Sequence, residues 1–442
     1  MELNKYYNGY NSSFYLFNAC ESGNETLVRF LIRHGADITI KDKKNNTPFF
    51  RACESGNEHL VRYLVKLGEN INRKNNMGVT PLFRACCEGK ENIVKCLVEL
   101  GANIKIENNI GQTPIVAACS SGNESLVKYL MELGLDINKE GNKGFTPIFA
   151  ACMSGNKNLI KYLIEHGADI NKEASNDVTP LFIACNSGNE HLVKYLVELG
   201  ADINKVTDNG ITPLFHACDS GNENLVKYLV EHGADINKET TEGITPLFTA
   251  CNSGNEHLVK YLVDNGANIN KVDKNGETVL FNACDSGNEN LVKYLVEHGA
   301  DINKESNEGL TPIFTACNNG HENIVKYLVE HGADINKVRN NGATLLIYAC
   351  NNENLNLVKY LIKLSADIDK EAKSGATALF NACYNGHENI VKYSVEHGAD
   401  INKEDNAHNT PLSIAFEKGY TNLAKYLLEE GASPFFLFNG SI

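Results

Sequence analysis

The sequence predicts an all-α solenoid in which short helix pairs stack into a curved superhelical rod. Three observations carry this. A Thr column falls at 47, 80, 113 and on to 410, always 33 residues apart, without insertion or deletion. Each 33-residue unit carries its own helix starts and stops. No unit is large enough to bury its own apolar stripe, so each must lean on its neighbours to build a core. Twelve Thr-marked units and a first one around Phe14–Ala19–Cys20 make about 13 repeats. Layers of ~8–10 Å then imply a rod on the order of 110 Å long.

The unit Asp42 to Lys74, DKKNNTPFFRACESGNEHLVRYLVKLGENINRK, shows the elements in order. Thr47 is placed to cap a helix with its side-chain oxygen, and Pro48 has the fixed φ suited to the first helical position. The spacing predicts a first helix over Pro48 to Ser55, stopped by Gly56. A second helix is expected over Glu58 to Leu67. Its Leu60, Val61, Leu64 and Val65 form one apolar face, and Gly68 ends it. Asn75-Asn76-Met77-Gly78 then turns the chain back. Ala52 and Cys53 are small enough to let neighbouring first helices approach closely.

These features resemble the ankyrin-repeat family, known by its 33-residue period and a Thr-Pro-Leu-His-x-Ala signature. Here the signature reads Thr80-Pro81-Leu82-Phe83-Arg84-Ala85 and Thr212-Pro213-Leu214-Phe215-His216-Ala217, with Gly200-Ala201-Asp202-Ile203-Asn204 as the second landmark. The resemblance covers residues 9–434. Most units have Phe where the family has His, so that residue's hydrogen bonds must be replaced or absent, with apolar packing in their place. A single array over 1–434 is expected, followed by a short hydrophobic tail, 435–442. The tail Pro434-Phe435-Phe436-Leu437-Phe438 is read as a plug over the open face of the last repeat.

The chain has 442 residues and a formal charge of −14. That balance argues against nucleic acid or an anionic membrane as main partner. The start, MELNKYYNGYNSSF, has no signal-sequence pattern, and no apolar run approaches the ~18 residues that span a bilayer. A cytoplasmic protein is expected. Twelve of the 14 Cys recur every 33 residues, from Cys20 to Cys383, with only Cys87 and Cys96 outside that series. One packing layer exceeds the ~7 Å Cα separation a disulfide tolerates, so these read as buried thiols following Ala. No CxxC or CxxH pair suggests a metal. No nucleophile elbow, phosphate loop or zinc-protease motif is present. His34, His166, His232, His298, His331 and His397 sit at or near the end of the second helix, where dipole and hydrogen bonding favour them. No catalytic, cofactor or metal site is expected, and the chain is read as not an enzyme.

Departures from the template carry information. Leu345 replaces Pro, Glu353 the inter-helix Gly, and Ser365 the helix-stop Gly; Ala378 replaces the next Pro and Ser394 a Leu. Forcing a non-Gly residue into a left-handed conformation costs ~1–2 kcal/mol, and losing a buried Leu ~2–5 kcal/mol. A soft joint between about 340 and 400 is expected, with tolerated drift as the alternative.

The resemblance implies a concave binding groove lined by turn tips and the exposed side of the first helix. Residues four and seven past the Thr share that side: Arg51 with Glu54, Arg84, and His216 with Asp219. Two features stand out. Apolar residues precede the Thr at Val79, Phe145, Val178, Ile211, Ile244 and Leu310. They would form either an exposed ridge or packing between turns. The other feature is charge: residues 1–100 hold 14 basic and 11 acidic side chains, leaving 27 basic and 44 acidic in the rest. Arg51 and Arg84, with Lys43 and Lys44 nearby, make the early repeats basic. A bipolar partner or head-to-tail self-association would suit such polarity. The function expected is a protein–protein interaction scaffold or adaptor binding partner proteins in the groove. A mechanical spacer, or a secreted effector acting by binding host proteins, stays open. The resemblance also implies that Asn204 and Asn237, each eight residues after a Leu, match the family's Asn-hydroxylation pattern; a plain turn role for these Asn is the alternative.

Overall fold

A computed structural model describes residues 9–434. Among these are 26 α-helices and two short 3-10 turns, Asn142–Gly144 and Ser175–Asp177. The described residues form no strand, and the only strand-like feature among them is an isolated bridge between Val338 and Thr344. The helices come in pairs at the expected step: Gly9–Glu21 with Glu25–Arg33, Pro48–Ser55 with Glu58–Lys66, and so on to Pro411–Glu417 with Thr421–Glu429. The chain divides into two compact units, one ending at Ala234 and one beginning at Asp235. Within each, first helices pack on neighbouring first helices, and second helices stack behind them. The expected plug at 435–438 lies outside the described residues.

The core follows from the periodicity. Leu60, Val61 and Leu64 of one second helix, like Leu225, Val226 and Leu229 of another, are fully buried. Ala52 and Cys53 are equally buried, as small residues between close helices must be. The periodic Cys are all buried and none is in a disulfide among the described residues. Burial pushes the Cys152 and Cys251 thiols up to about 12. The six His bond back one turn, as His232 Nδ1 does to the Tyr228 carbonyl at 2.8 Å.

The Thr cap differs from expectation. Thr179, Thr212, Thr245 and Thr278 take the extended cap conformation, yet their buried hydroxyls have no partner. The amide three residues on bonds the Thr carbonyl instead, as Phe215 N does to Thr212 O at 3.1 Å. An apolar fourth residue does not by itself decide this, since Phe83 N and Ile347 N still donate to the Thr80 and Thr344 hydroxyls at 3.2 and 3.3 Å. Where that fourth residue is polar, at Ser413, the reciprocal cap forms: Ser413 N donates to Thr410 Oγ1 at 3.2 Å and Thr410 N to Ser413 Oγ at 2.8 Å. Phe offers no polar group, and its buried ring (Phe149 and Phe314 are 0% exposed) supplies packing. Side-chain capping has moved to the second helix. Asn57 Oδ1 accepts from Leu60 N at 3.1 Å while its Nδ2 reaches back to the Gly23 carbonyl at 2.8 Å.

A second Asn column joins successive repeats. Asn270 Nδ2 donates to Gly299 O at 2.9 Å, and its Oδ1 accepts from Asp301 N at 2.9 Å. Asn237 and Asn303 do the same. Asn204 and Asn237 therefore each donate their amide to the glycine of the following repeat.

Between repeats the chain makes a five-residue finger, such as 75–79, closed by Asn75 N to Val79 O at 3.0 Å. Adjacent fingers are stitched backbone to backbone: Asn76 N to Lys44 O and Asn109 N to Met77 O, both at 3.0 Å. The fit is tight. Gly78 has φ +73, and a Cβ there would lie 2.6 Å from Asn109 N, so both conformation and space demand glycine.

Candidate protein-binding groove

Fingers and first helices enclose a groove of about 510 Å³ in the first unit. Its rim is made by fingers 75–79 and 108–112 with Lys44 and Asn46 of the preceding finger. Its floor is Phe50, Arg51, Glu54, Phe83, Arg84 and Cys87. The Phe rings are buried and hold the helices together, which leaves the residues four and seven past each Thr facing the opening.

The charged floor residues are tied to one another. Arg51 Nη1 donates to Glu54 Oε2 at 2.9 Å, and Arg84 Nε to Glu54 Oε1 at 2.7 Å across the repeat boundary. Arg84 Nη2 also meets Glu88 at 3.1 Å, and Arg51 lies 3.7 Å from Glu21. Burial works against the Arg84 charge, but the Glu54 hydrogen bond and the Glu54 and Glu88 charges outweigh it and raise its pKa. Glu54 thus orients two guanidinium groups at once. Cys87 is half-buried, and burial raises its thiol against the pull of Arg84, so it is no activated nucleophile.

The residues singled out from the sequence therefore sort themselves. Lys44, Arg51, Glu54, Val79 and Arg84 line this one groove. Lys43 is exposed on the same finger, its carbonyl accepting from Asn76 Nδ2 at 3.3 Å. His216 and Asp219 lie on the helix Pro213–Asp219. His216 is half-buried, edge-on to Phe182 at 5.6 Å, and burial lowers its pKa against the charge of Asp219. The apolar series is covered rather than free. Val79 is 7% exposed, and Phe145, Val178, Ile211, Ile244 and Leu310 are half-buried. Phe145 lies 4.7 Å from the Phe149 ring, centroid to centroid. Each closes its finger by accepting a bond from the finger's first amide, as Ile211 O does from Thr207 N at 2.9 Å. This geometry turns the fifth finger residue inward.

The exposed apolar side chains are two residues earlier on the finger. Met77 and Ile110 occupy the same tip position in adjacent repeats and are 55% and 50% exposed. That position holds Lys44 before them and Lys143, Asn176 and Asn209 after them. The signal was present as a variable column, but variation alone does not show which way a side chain points. Among the described residues, no group of three or more His, Cys, Asp or Glu side chains gathers to hold a metal ion, and no helix is long and apolar enough to cross a membrane.

The model of ankyrin repeats matches the chain in six overlapping segments, 16–108, 100–174, 171–240, 236–306, 302–374 and 364–435. The chain belongs to the ankyrin-repeat family. Its all-α architecture is an ankyrin solenoid, and ankyrin repeats in general are protein–protein interaction modules. No curated protein matches this ankyrin-repeat chain.

Proposed function

We propose that this ankyrin-repeat protein is a scaffold or adaptor that docks a segment of a partner protein in the groove of residues 44–112, without catalysis. The observation that carries the reading is the pair Met77 and Ile110, half exposed on neighbouring fingers above a charged floor. Large apolar side chains at the rim of a groove favour burial against a partner. The fingers are already stitched together, so docking them costs little ordering.

The test is affinity capture of partners with the wild type beside a Met77→Ser, Ile110→Ser double variant. The tips are exposed, so thermal stability should hold while the captured partner is lost. A Met153→Ser variant, exposed on a different repeat, serves as control. A partner retained by the double variant places docking elsewhere.

A further inference from the structure

Apart from that groove, we infer that the second helices carry a docking site at Cys96 for a tyrosine side chain of a partner protein. One column of the repeat shows what chemistry belongs there. Positions 30, 63, 96 and on to 426, each 33 apart, hold a ring in every unit but one: Phe30, then Tyr63 to Tyr426, with Cys96 as the single non-aromatic member. Each is preceded by Arg or Lys, from Arg29 to Lys425. Stacking lays the cation of one repeat over the ring of the next: Arg29 over Tyr63 at 3.9 Å, Lys95 over Tyr129 at 5.4 Å, Lys128 over Tyr162 at 4.9 Å and Lys359 over Tyr393 at 5.3 Å from the ring centroids. The negative face of each ring attracts the cation. The phenol hydroxyl finds an acceptor on the preceding repeat, as Tyr294 Oη does by donating to Asp264 Oδ1 at 3.0 Å.

At Cys96 the arrangement is broken on both sides. Arg62 has no ring to cover and instead crosses to Glu99 of the next repeat. Cations that do cover a ring pair with the Glu four residues back on their own helix, as Arg29 does with Glu25 and Lys128 with Glu124, both at 2.6 Å. Glu58, four residues back from Arg62, forms no ion pair among the described residues. Beside Cys96 lies a cavity of about 550 Å³, with Glu58, Lys90, Glu91, Lys95, Cys96 and Glu99 on its walls. Cys96 is itself buried, and burial raises its thiol above the ordinary value, so the sulfur is a small apolar wall and no activated nucleophile. The charges around the cavity cancel: Glu58, Glu91 and Glu99 against Lys90, Lys95 and the Arg62 held on Glu99. No net charge selects an anion or a cation, whereas a neutral ring gains apolar contact and the pull of the Arg62 guanidinium. Among neutral rings a phenol is selected, because its hydroxyl gives the unpaired Glu58 a donor.

Saturation-transfer NMR on the full chain tests this with three probes: N-acetyl-tyrosinamide, N-acetyl-phenylalaninamide and N-acetyl-leucinamide. Transfer should be strongest to the Tyr ring, about threefold weaker to the Phe ring and weakest to Leu. Cys96→Tyr rebuilds the column from within. It should raise the melting temperature and cut transfer to the Tyr probe about threefold or more. Glu58→Gln should leave the fold intact and bring the Tyr probe down to the level of the Phe probe, a readout that does not depend on how well Cys96→Tyr folds. The Met77→Ser, Ile110→Ser variant should change nothing, which separates this site from the groove. The inference is overturned if no probe receives saturation, if Leu matches Tyr, or if transfer to the Tyr probe survives both Cys96→Tyr and Glu58→Gln. Transfer lost only in the Met77→Ser, Ile110→Ser variant also overturns it and assigns the ring to the groove.

Discussion

Residues 237–334 and 336–403 are written on the same template, yet they are held together differently. In the first stretch, Asn237, Asn270 and Asn303 each join the next repeat by a donated and an accepted bond. In the second, Asn336 bonds only within its own turn. Asp369 replaces the next Asn: it accepts from Asp400 N at 2.9 Å but has no hydrogen to donate to Gly398. The helix stops differ as well. Gly266, Gly299 and Gly332 sit at φ of 93, 91 and 96, whereas Ser365 is forced to 64. Where Leu295 and Leu328 fill the core, Ser394 is 1% exposed with an unpartnered hydroxyl. A repeat array tolerates such losses because each layer contacts only its neighbours. Ser365, Asp369 and Ser394 place three such losses within one stretch.

The strongest test moves a defect into the sound stretch. Leu328→Ser should cost about 3 kcal/mol, the scale of a buried Leu lost to a smaller residue. Hydrogen exchange of helix Glu322–Glu330 should then rise to the level of Glu388–Glu396; unchanged protection would show that Ser394 is no weakness. The reciprocal change, Ser394→Leu, should gain about 2 kcal/mol and raise the urea midpoint.

A departure in the first unit shows whether the rule is general. Glu69 stands where most repeats have Ala, is 7% exposed, and leaves Oε1 without a partner. Burial raises its pKa above the ordinary 4.5. The folded state then binds more protons than the unfolded one. Its contribution is favourable below pH 4.5 and is lost as pH rises through the raised value. Glu69→Ala should stabilise by about 1–2 kcal/mol at neutral pH, and melting curves of the two proteins should converge in acid. A gap that widens in acid would contradict the burial account.

Smaller gains are expected back in the weak stretch. Ser365→Gly should add about 1 kcal/mol by relieving the left-handed backbone. Asp369→Asn should restore the missing donor for about 0.5–1 kcal/mol, seen as slower exchange near Gly398. If both leave protection unchanged, the contrast rests on Ser394 alone.

The period, the helix pairs, the buried Cys column and the His at helix ends were legible because each depends on residues within one unit. What depends on pairing across units was not. Arg51 and Glu54 share a helix face in the sequence, but only stacking brings Arg84, 30 residues after Glu54, onto the same carboxylate. Val79 and Ile211 leave a ridge and turn packing equally open until the finger closes and turns them inward. The Thr cap holds at Thr80, Thr344 and Thr410 and fails at positions such as Thr212, because a carbonyl and a hydroxyl on one residue compete for the same amide. At Glu353 the expected strain is avoided. Helix Leu345–Ala349 stops after 5 residues, so no left-handed turn is required there.

The row of thiols has a consequence of its own. One unreactive sulfhydryl is sealed in nearly every layer, with Cys350 and Cys383 inside the weak stretch. Each is chemically silent until its layer breathes, and then it takes a permanent mark from any alkylating or oxidising agent. Mass spectrometry of the chain after such exposure would read out, layer by layer, a history of where the protein has opened.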